Sequence, residues 1–139
     1  MFEHILVATA LDEQTDAAVE MAIGLARMSK GRVTVLHVIE SIGEEPEDDE
    51  LEEFYAALPE KADEHMRALS EHLDEEGITH DATIRVGVRW ETILQVADEA
   101  TVDVVVLGSR PVLDQENPRL GTTSHQVFFA SHKPLLIAR

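Results

Sequence analysis

The chain of 139 residues contains no cysteine. Disulfide bonds, thiolate catalysis and cysteine-rich zinc sites are therefore excluded. It also lacks an apolar run of membrane-spanning length, and its first residues, MFEHILVATA, lack the basic flank of a signal peptide. We therefore expect a cytoplasmic protein that has no membrane partner.

Basic residues are scarce. The chain has 11 lysines and arginines against 28 aspartates and glutamates, a formal net charge of −17, and its lysines are Lys30, Lys61 and Lys133. Such a surface repels nucleic acid and anionic membranes, so neither is expected as a partner. An acidic, lysine-poor composition suits a cytoplasm of molar salt, where repulsion is screened over about 3 Å. We expect a halophilic archaeal source; the alternative is an ordinary acidic protein with one charged helix.

Apolar stretches of strand type alternate with helical patterns along the chain. Hydrophobic residues make up 44 % of it, enough for one buried core. Apolar residues recur at helical spacing over 15–26, 51–73 and 90–100 and around Val127, with Gly31 and Gly77 as stops and Pro59 predicted to kink or divide the second helix. The predicted strands are HILVAT (4–9), RVTVLHVIE (32–40), HDATIRV (80–86), VDVVVLG (102–108) and PLLIAR (134–139).

This alternation predicts the fold class. Repeated βαβ units give a doubly wound, five-stranded parallel sheet with helices on both faces, Rossmann-like or flavodoxin-like, in a single domain over 1–139. Ligands bind such sheets beyond the carboxyl ends of the strands, where the strand order reverses. The loops after Thr9, Val38 and Leu107 should therefore lie together.

One of these loops has features of a phosphate site. In LGSRPVLDQENPRLGTTS (107–124), Gly108 follows a valine-rich strand, and Gly121 with its hydroxyl residues precedes a helix. Backbone amides at such a passage can bind an anion. Threonine and serine are also good helix N-caps, which explains them without a ligand. Both interpretations stay open on the residues alone.

Over its whole length the chain resembles the universal stress protein family. The segments ILVATALDEQ, VTVLHVIE and VDVVVLGSR are similar to the family's first, second and fourth strands. The family's nucleotide signature is glycine, two residues, glycine, nine residues, glycine and a hydroxyl residue. Its spacing is kept here at Gly108, Pro111, Gly121 and Thr122. The resemblance implies the adenine nucleotide alpha-hydrolase-like variant of the predicted fold.

The resemblance also implies a binding site for ATP or AMP with Mg²⁺, or else a site without a cofactor. By position, the adenosine would be edged by Ala8, Thr9 and Ala10, and the adenine would meet the backbone of Val38. The ribose and phosphates would be faced by Gly108 and Arg110. The phosphate oxygens would be held by Gly121, Thr122, Thr123 and Ser124, at the start of the last helix.

Two departures from the family pattern predict a degenerate nucleotide loop. Ala10 stands where ATP-binding relatives usually have an aspartate, and Asp12 is a doubtful replacement. Pro111 stands in place of a glycine, fixing φ near about −65° and removing an amide donor. Asp114 and Glu116 add negative charge beside the expected phosphates.

Few features of the sequence support a catalytic role. The chain has no nucleophile-elbow pattern, no Walker-type loop and no metal-ligand spacing, so no catalytic or metal residue is assigned. His37 is expected to be a core or strand-end histidine, and Trp90 and the Phe128–Phe129 pair are expected in the core. We expect a regulatory stress-response module acting through ligand and protein contacts, with an unknown protein partner. The alternatives are an ATP- or AMP-binding switch with slow hydrolysis and a small phosphoester hydrolase.

The last apolar strand predicts assembly. A parallel sheet of this kind leaves the strand KPLLIAR at an edge, where it can pair with another chain. Members of the resembled family commonly dimerise through this strand. We therefore expect a homodimer joined around Leu135, Leu136 and Ile137.

Overall fold

The computed structural model describes residues 1–10, 16–40, 49–108 and 122–138, with side chains described except at 16, 49–61 and 122. Strands and helices alternate throughout these residues, as the apolar pattern predicts. The elements are β1 (His4–Ala8), α1 (Asp16–Ser29), β2 (Arg32–Glu40), α2 (Asp49–Glu75), β3 (Thr79–Gly87), α3 (Arg89–Glu99), β4 (Val104–Gly108), α4 (Thr122–Ala130) and β5 (Leu135–Ala138).

All five strands form one parallel sheet in the order β3-β2-β1-β4-β5. The chain moves outward from β1 through β2 to β3, then crosses back to β4 on the other side of β1. The strand order therefore reverses between β1 and β4, as in doubly wound folds. The predicted fold class is confirmed.

The core has one layer on each face of the sheet. Alternate residues of β1 point to opposite faces: Ile5 and Val7 pack with α1 and α2, whereas Leu6 packs with α3 and α4. Ile5, Leu6 and Val7 are fully buried, because a parallel sheet with helices on both sides has no solvent face. Within the described ranges, no helix combines the length and the apolar character needed to cross a membrane.

The structure bears on two predictions about the helices, and it contradicts the core placement of Phe128 and Phe129. Pro59 does not divide its helix, since α2 runs unbroken from Asp49 to Glu75, whereas a kink there stays a prediction. Proline removes one backbone hydrogen bond, and packing of Met66 and Leu73 against the core holds the later turns in place. Phe128 and Phe129 are exposed by 58 % and 72 %, because α4 is short and turns Val127 towards the sheet instead.

The two predicted glycine stops act differently. Gly77 follows α2 with φ +73°, a left-handed conformation that glycine adopts without strain. At the end of α1 the left-handed residue is Lys30, with φ 56°, and Gly31 is needed for close packing. A Cβ at Gly31 would lie 2.0 Å from the backbone oxygen of Glu3, so this glycine fixes how β1 begins beside β2.

Candidate functional site

The carboxyl edge of the sheet has a step in it. Ala8, the last residue of β1, is in register with Leu36 of β2 and with Leu107 of β4. β2 continues to Glu40, paired throughout with β3. Those four extra residues, 37–40, carry β2 and β3 about 13 Å beyond the end of β1 at ~3.3 Å per residue. The ends of β1 and β4 thus form a floor, and β2 forms a wall beside it.

Val38 lies in this wall with its backbone turned towards the floor. The carbonyl oxygen of Leu36 accepts a hydrogen bond of 2.8 Å from the amide of Thr9, so it points towards β1. Alternate residues of a strand present their backbone groups to the same neighbour, so Val38 does likewise, one step beyond the end of β1. Its side chain is buried. A ligand on the floor could therefore reach the backbone of Val38, the contact expected for the adenine.

His37 holds the end of β1 in position. Its Nδ1 lies 2.7 Å from the carbonyl oxygen of Thr9, and because a carbonyl oxygen only accepts, the Nδ1–H donates. Thr9 is itself buried and Ala10 is exposed at the rim of the floor. His37 thus lies within β2, half-buried, with its ring bonded to the end of β1. No pattern in the sequence indicated that this ring would bond to the backbone of Thr9, a residue predicted to edge the adenosine.

The amino end of α4 approaches the same edge. The segment before α4 leaves from Gly108 at the end of β4, and α4 leads to the start of β5, so α4 begins on the carboxyl side of the sheet. Val127 packs in the same core layer as Val38 and Leu107. Ser124 is buried and Thr123 is half-buried in the first turn.

The structure thus brings most of the predicted site residues to one edge. Ala8, Thr9 and Gly108 lie on neighbouring strand ends, with Val38 in the adjoining wall. Arg110 and Gly121, together with Asp12, Pro111, Asp114 and Glu116, lie outside the described residues, and so does the side chain of Thr122. In the described parts of the chain no group of three or more histidine, aspartate or glutamate side chains is arranged to hold a metal ion.

A second polar cluster, not anticipated from the sequence, lies at the opposite, amino edge. The Thr34 hydroxyl donates to Oδ1 of Asp81 at 2.7 Å, so His4 Nε2, also 2.7 Å from Thr34 Oγ1, must donate to it. His4 therefore carries a proton on Nε2. Burial lowers the pKa of His4, and the nearby Arg32 guanidinium, 3.4 Å from Nδ1, lowers it further.

The adjoining residue Asp103 fastens the start of β1. One of its carboxylate oxygens accepts hydrogen bonds from the amides of His4 and Glu3, at 2.9 and 3.0 Å. These bonds, the one from His4 first, lower the pKa of Asp103. No buried side-chain nitrogen or oxygen among the described residues lacks a hydrogen-bond partner, so we interpret the cluster as structural. A single histidine in an apolar strand carried no signal of it.

Comparison with known proteins agrees with this architecture. A model of the universal stress protein family matches residues 1–139. Universal stress protein MJ0577 of Methanocaldococcus jannaschii is 24 % identical over all of this chain and 96 % of its own length. A solved structure of MJ0577 superposes with a TM-score of 0.82, at 26 % identity, over 99 % of this chain and 96 % of that one.

Two further solved structures share the fold. Universal stress protein UspA of Lactobacillus plantarum gives a TM-score of 0.85 at 21 % identity, covering 99 % of this chain and 98 % of its own. The universal stress protein of Archaeoglobus fulgidus in complex with dAMP gives 0.71 at 20 % identity, with complete coverage of both chains. These relatives give no support for a halophilic source, which stays a prediction.

Proposed function

Because the chain belongs to the universal stress protein family, we propose that it is a cytoplasmic regulatory module that binds a small phosphate-bearing ligand at the step in the sheet. The observation that carries this proposal is the step itself. It places the backbone of Val38 beside the exposed ends of β1 and β4. The complex of the Archaeoglobus fulgidus protein with dAMP is a case of a nucleotide bound on this fold.

The ligand would be held in two parts. The backbone of Val38 and the residues from Ala8 to Ala10 suit the edge of an adenosine. The first turn of α4, with Thr123 and Ser124 after Gly121, suits an anion because free amides and the helix dipole favour negative charge there. We propose AMP, or ATP with Mg²⁺, as the nucleotide, with ATP bound weakly.

We attribute the weak ATP binding to two groups that this chain does not provide. Ala10 offers no carboxylate to accept hydrogen bonds from a nucleoside, and Pro111 offers no amide to a phosphate. A hydrogen bond to a charged group is worth about 1.5–3 kcal/mol, or roughly one to two decades of affinity. The two losses would move a micromolar ATP site towards millimolar. A binding role, rather than a catalytic one, accords with such a site.

Isothermal titration with phosphate, AMP, ADP and MgATP in molar potassium chloride tests the proposal. We expect phosphate or AMP to bind at Gly121–Ser124 with measurable heat, and MgATP to bind with a millimolar dissociation constant. Ala10→Asp combined with Pro111→Gly should tighten MgATP binding by at least about tenfold. Ala68→Asp with Pro111→Gly is the matched control, because Ala68 is exposed on α2 away from the step.

Other outcomes favour the alternatives. A dissociation constant of a few micromolar for MgATP in the unaltered protein would support a nucleotide switch, and release of phosphate in a parallel assay would add slow hydrolysis. Turnover of a small phosphoester without nucleotide binding would support the hydrolase. No heat with any ligand, and no gain from the double variant, would refute the site.

We propose further that the protein acts as a homodimer joined through β5. β5 is an edge strand whose residues Leu135, Leu136 and Ile137 are only half-buried. Phe128 and Phe129 lie exposed on the preceding helix, beside one another in an edge-to-face contact of 5.3 Å. A second copy covering this strand and helix would bury both rings.

Light scattering tests the dimer. At micromolar protein in high salt we expect twice the mass of the chain. Phe129→Asp should shift the mass towards the monomer while leaving the circular dichroism spectrum unchanged, since this ring is exposed in the single chain. Leu136→Asp should act in the same direction. A monomer mass for the unaltered protein would refute the assembly.

A further inference from the structure

β3 forms the other edge of the sheet, opposite β5, and it is long. Its nine residues, Thr79–Gly87, all pair with β2 on one side. Among the strands that the structure describes, none pairs with its outer side. Edge strands of this length present a row of backbone donors and acceptors to any extended chain.

The ladder determines which residues face outward. The backbone of Leu36 points towards β1, so the neighbouring residues Val35 and His37 point towards β3. Ala82 and Ile84 are the register partners of Val35 and His37. In a parallel ladder, however, Val35 and His37 form their hydrogen bonds with the β3 residues on either side of these partners. The amide and carbonyl groups of Ala82 and Ile84 are therefore directed to the open side.

A groove runs along this open side beneath α2. It has a volume of about 520 Å³ and lies between one flank of α2 and the middle of β3. Met66, Ala82 and Ile84 form its apolar part, and the small side chain of Ala82 leaves the space beside the strand open. A strand placed against β3 would have one face under α2, in contact with this apolar part.

The helix flank above the groove is charged and mostly acidic. Its residues recur at helical spacing: Asp63, Arg67, Ser70, Glu71 and Asp74. This flank therefore carries three carboxylates and one guanidinium group. Asp74 lies 3.8 Å from His80, whereas Asp63, Arg67 and Glu71 form no ion pair with any described residue. The flank therefore favours a partner with basic side chains at these positions.

The dimensions fit a short extended segment. From Asp63 to Asp74 the helix rises about 16 Å at ~1.5 Å per residue. An extended chain of five residues spans the same length at ~3.3 Å per residue, with every second side chain facing the helix. Such a segment could make backbone bonds to Ala82 and Ile84 while its basic side chains reach Glu71 and Asp63.

We propose that the outer edge of β3 and the groove under α2 are a docking site for an extended, basic segment of a partner protein, which joins the sheet as an added strand. Backbone pairing would supply the alignment, and the acidic flank would select the partner. The site is about two strands away from the step at β1 and β4, so it leaves that step accessible. It does not depend on nucleotide binding.

The probe is a capped, fluorescently labelled nonapeptide that alternates valine and lysine, with a valine–glutamate peptide as its counterpart. Fluorescence anisotropy at low salt should show binding of the lysine peptide alone. Asp63→Lys with Glu71→Lys should weaken it about tenfold, which corresponds to about 1.4 kcal/mol for the two altered contacts together. Glu64→Lys with Glu75→Lys is the matched control: it makes the same change in net charge on exposed residues of α2 outside the groove, and should weaken binding less than about threefold.

Hydrogen exchange tests the strand pairing itself. Bound peptide should slow exchange at the amides of Ala82 and Ile84, and Ala82→Pro should abolish binding because it removes an outward donor that β2 does not use. If Ala82→Pro fails to fold, Ala82→Arg replaces it, since this exposed position lets a large side chain fill the groove. Equal loss in the matched control, protection at β5 instead of β3, or no binding of the lysine peptide would overturn the proposal.

Discussion

A single methyl group at Gly31 should destabilise the fold strongly. The Cβ of an alanine there would lie 2.0 Å from the carbonyl oxygen of Glu3 and 2.6 Å from its carbon. These are backbone atoms, so no side-chain rotation can relieve the contact. The same oxygen accepts a hydrogen bond of 2.7 Å from the amide of Arg32, which begins the pairing of β1 with β2. Relief therefore requires β1 to move away from β2.

The size of the effect follows from those two terms. Overpacking a well-packed site costs about 1–3 kcal/mol, and weakening the Glu3–Arg32 hydrogen bond adds about 1 kcal/mol. We expect Gly31→Ala to lower the free energy of unfolding by roughly 2–4 kcal/mol in total. Gly24→Ala is the matched control: its Cβ would meet nothing within 4 Å, inside α1. That change should raise the free energy of unfolding by about 0.5–1 kcal/mol, because alanine is the better helix former.

Urea unfolding followed by circular dichroism measures both variants on the same scale. The midpoint should fall for Gly31→Ala and rise for Gly24→Ala, with an unchanged dependence on urea concentration in each. A Gly31→Ala protein as stable as the parent would refute the close approach of β1 to the turn after α1. Equal destabilisation by both alanines would refute the distinction between the two sites.

Four further predictions concern charge and buried polar groups. Thr34→Val should lower the free energy of unfolding by about 1–3 kcal/mol in urea, because it removes the hydroxyl between His4 and Asp81. Because the pKa of His4 is lowered, the unfolded chain binds more protons than the folded chain below pH 6.5. Stability should therefore fall as pH drops from 6.5 towards the folded pKa, and His4→Asn should flatten this dependence in melting scans. The raised pKa of His72, due first to its hydrogen bond with Glu20, has the opposite sign: this stability is present below pH 6.5 and is lost as pH rises through the folded pKa, and Glu20→Gln should remove it. If the acidic excess is an adaptation to salt, the melting temperature should rise from low to molar potassium chloride, and a flat or falling curve would count against a halophilic source.

The strand pattern was sufficient to predict the fold. Buried parallel strands are continuous apolar runs, and the run from Val104 to Leu107 has no polar alternation that would indicate a solvent face. The alternation with helices then restricts the topology to right-handed crossovers. Local pattern was a weaker guide, since the two phenylalanines of α4 were expected in the core but are exposed, and Pro59 does not divide α2. Packing decides whether a helix tolerates Pro59 and which side of α4 faces inward.

Pairing register was not accessible from the sequence. The step at the carboxyl edge exists because β2 is four residues longer, beyond Ala8, than the neighbour it pairs with. The apolar run of β2 predicted its length, but not where β1 would stop beside it. The orientation of the Val38 backbone and the bond from His37 to Thr9 both depend on that register.

The two edges of the sheet show why a perturbed histidine need not mark a functional site. At the amino edge His4 has a lowered pKa and lies in a chain of short hydrogen bonds, yet the two donors of that chain, His4 Nε2 and the Thr34 hydroxyl, each have an acceptor. No buried side-chain nitrogen or oxygen among the described residues lacks a partner. Among the described residues, the backbone of Val38 has no partner in β1, because the pairing of β1 with β2 ends at Ala8 and Leu36, and this carboxyl edge is where we propose that a ligand binds. The hydrogen bonds of the amino edge instead hold the start of β1 beside β2 and β4.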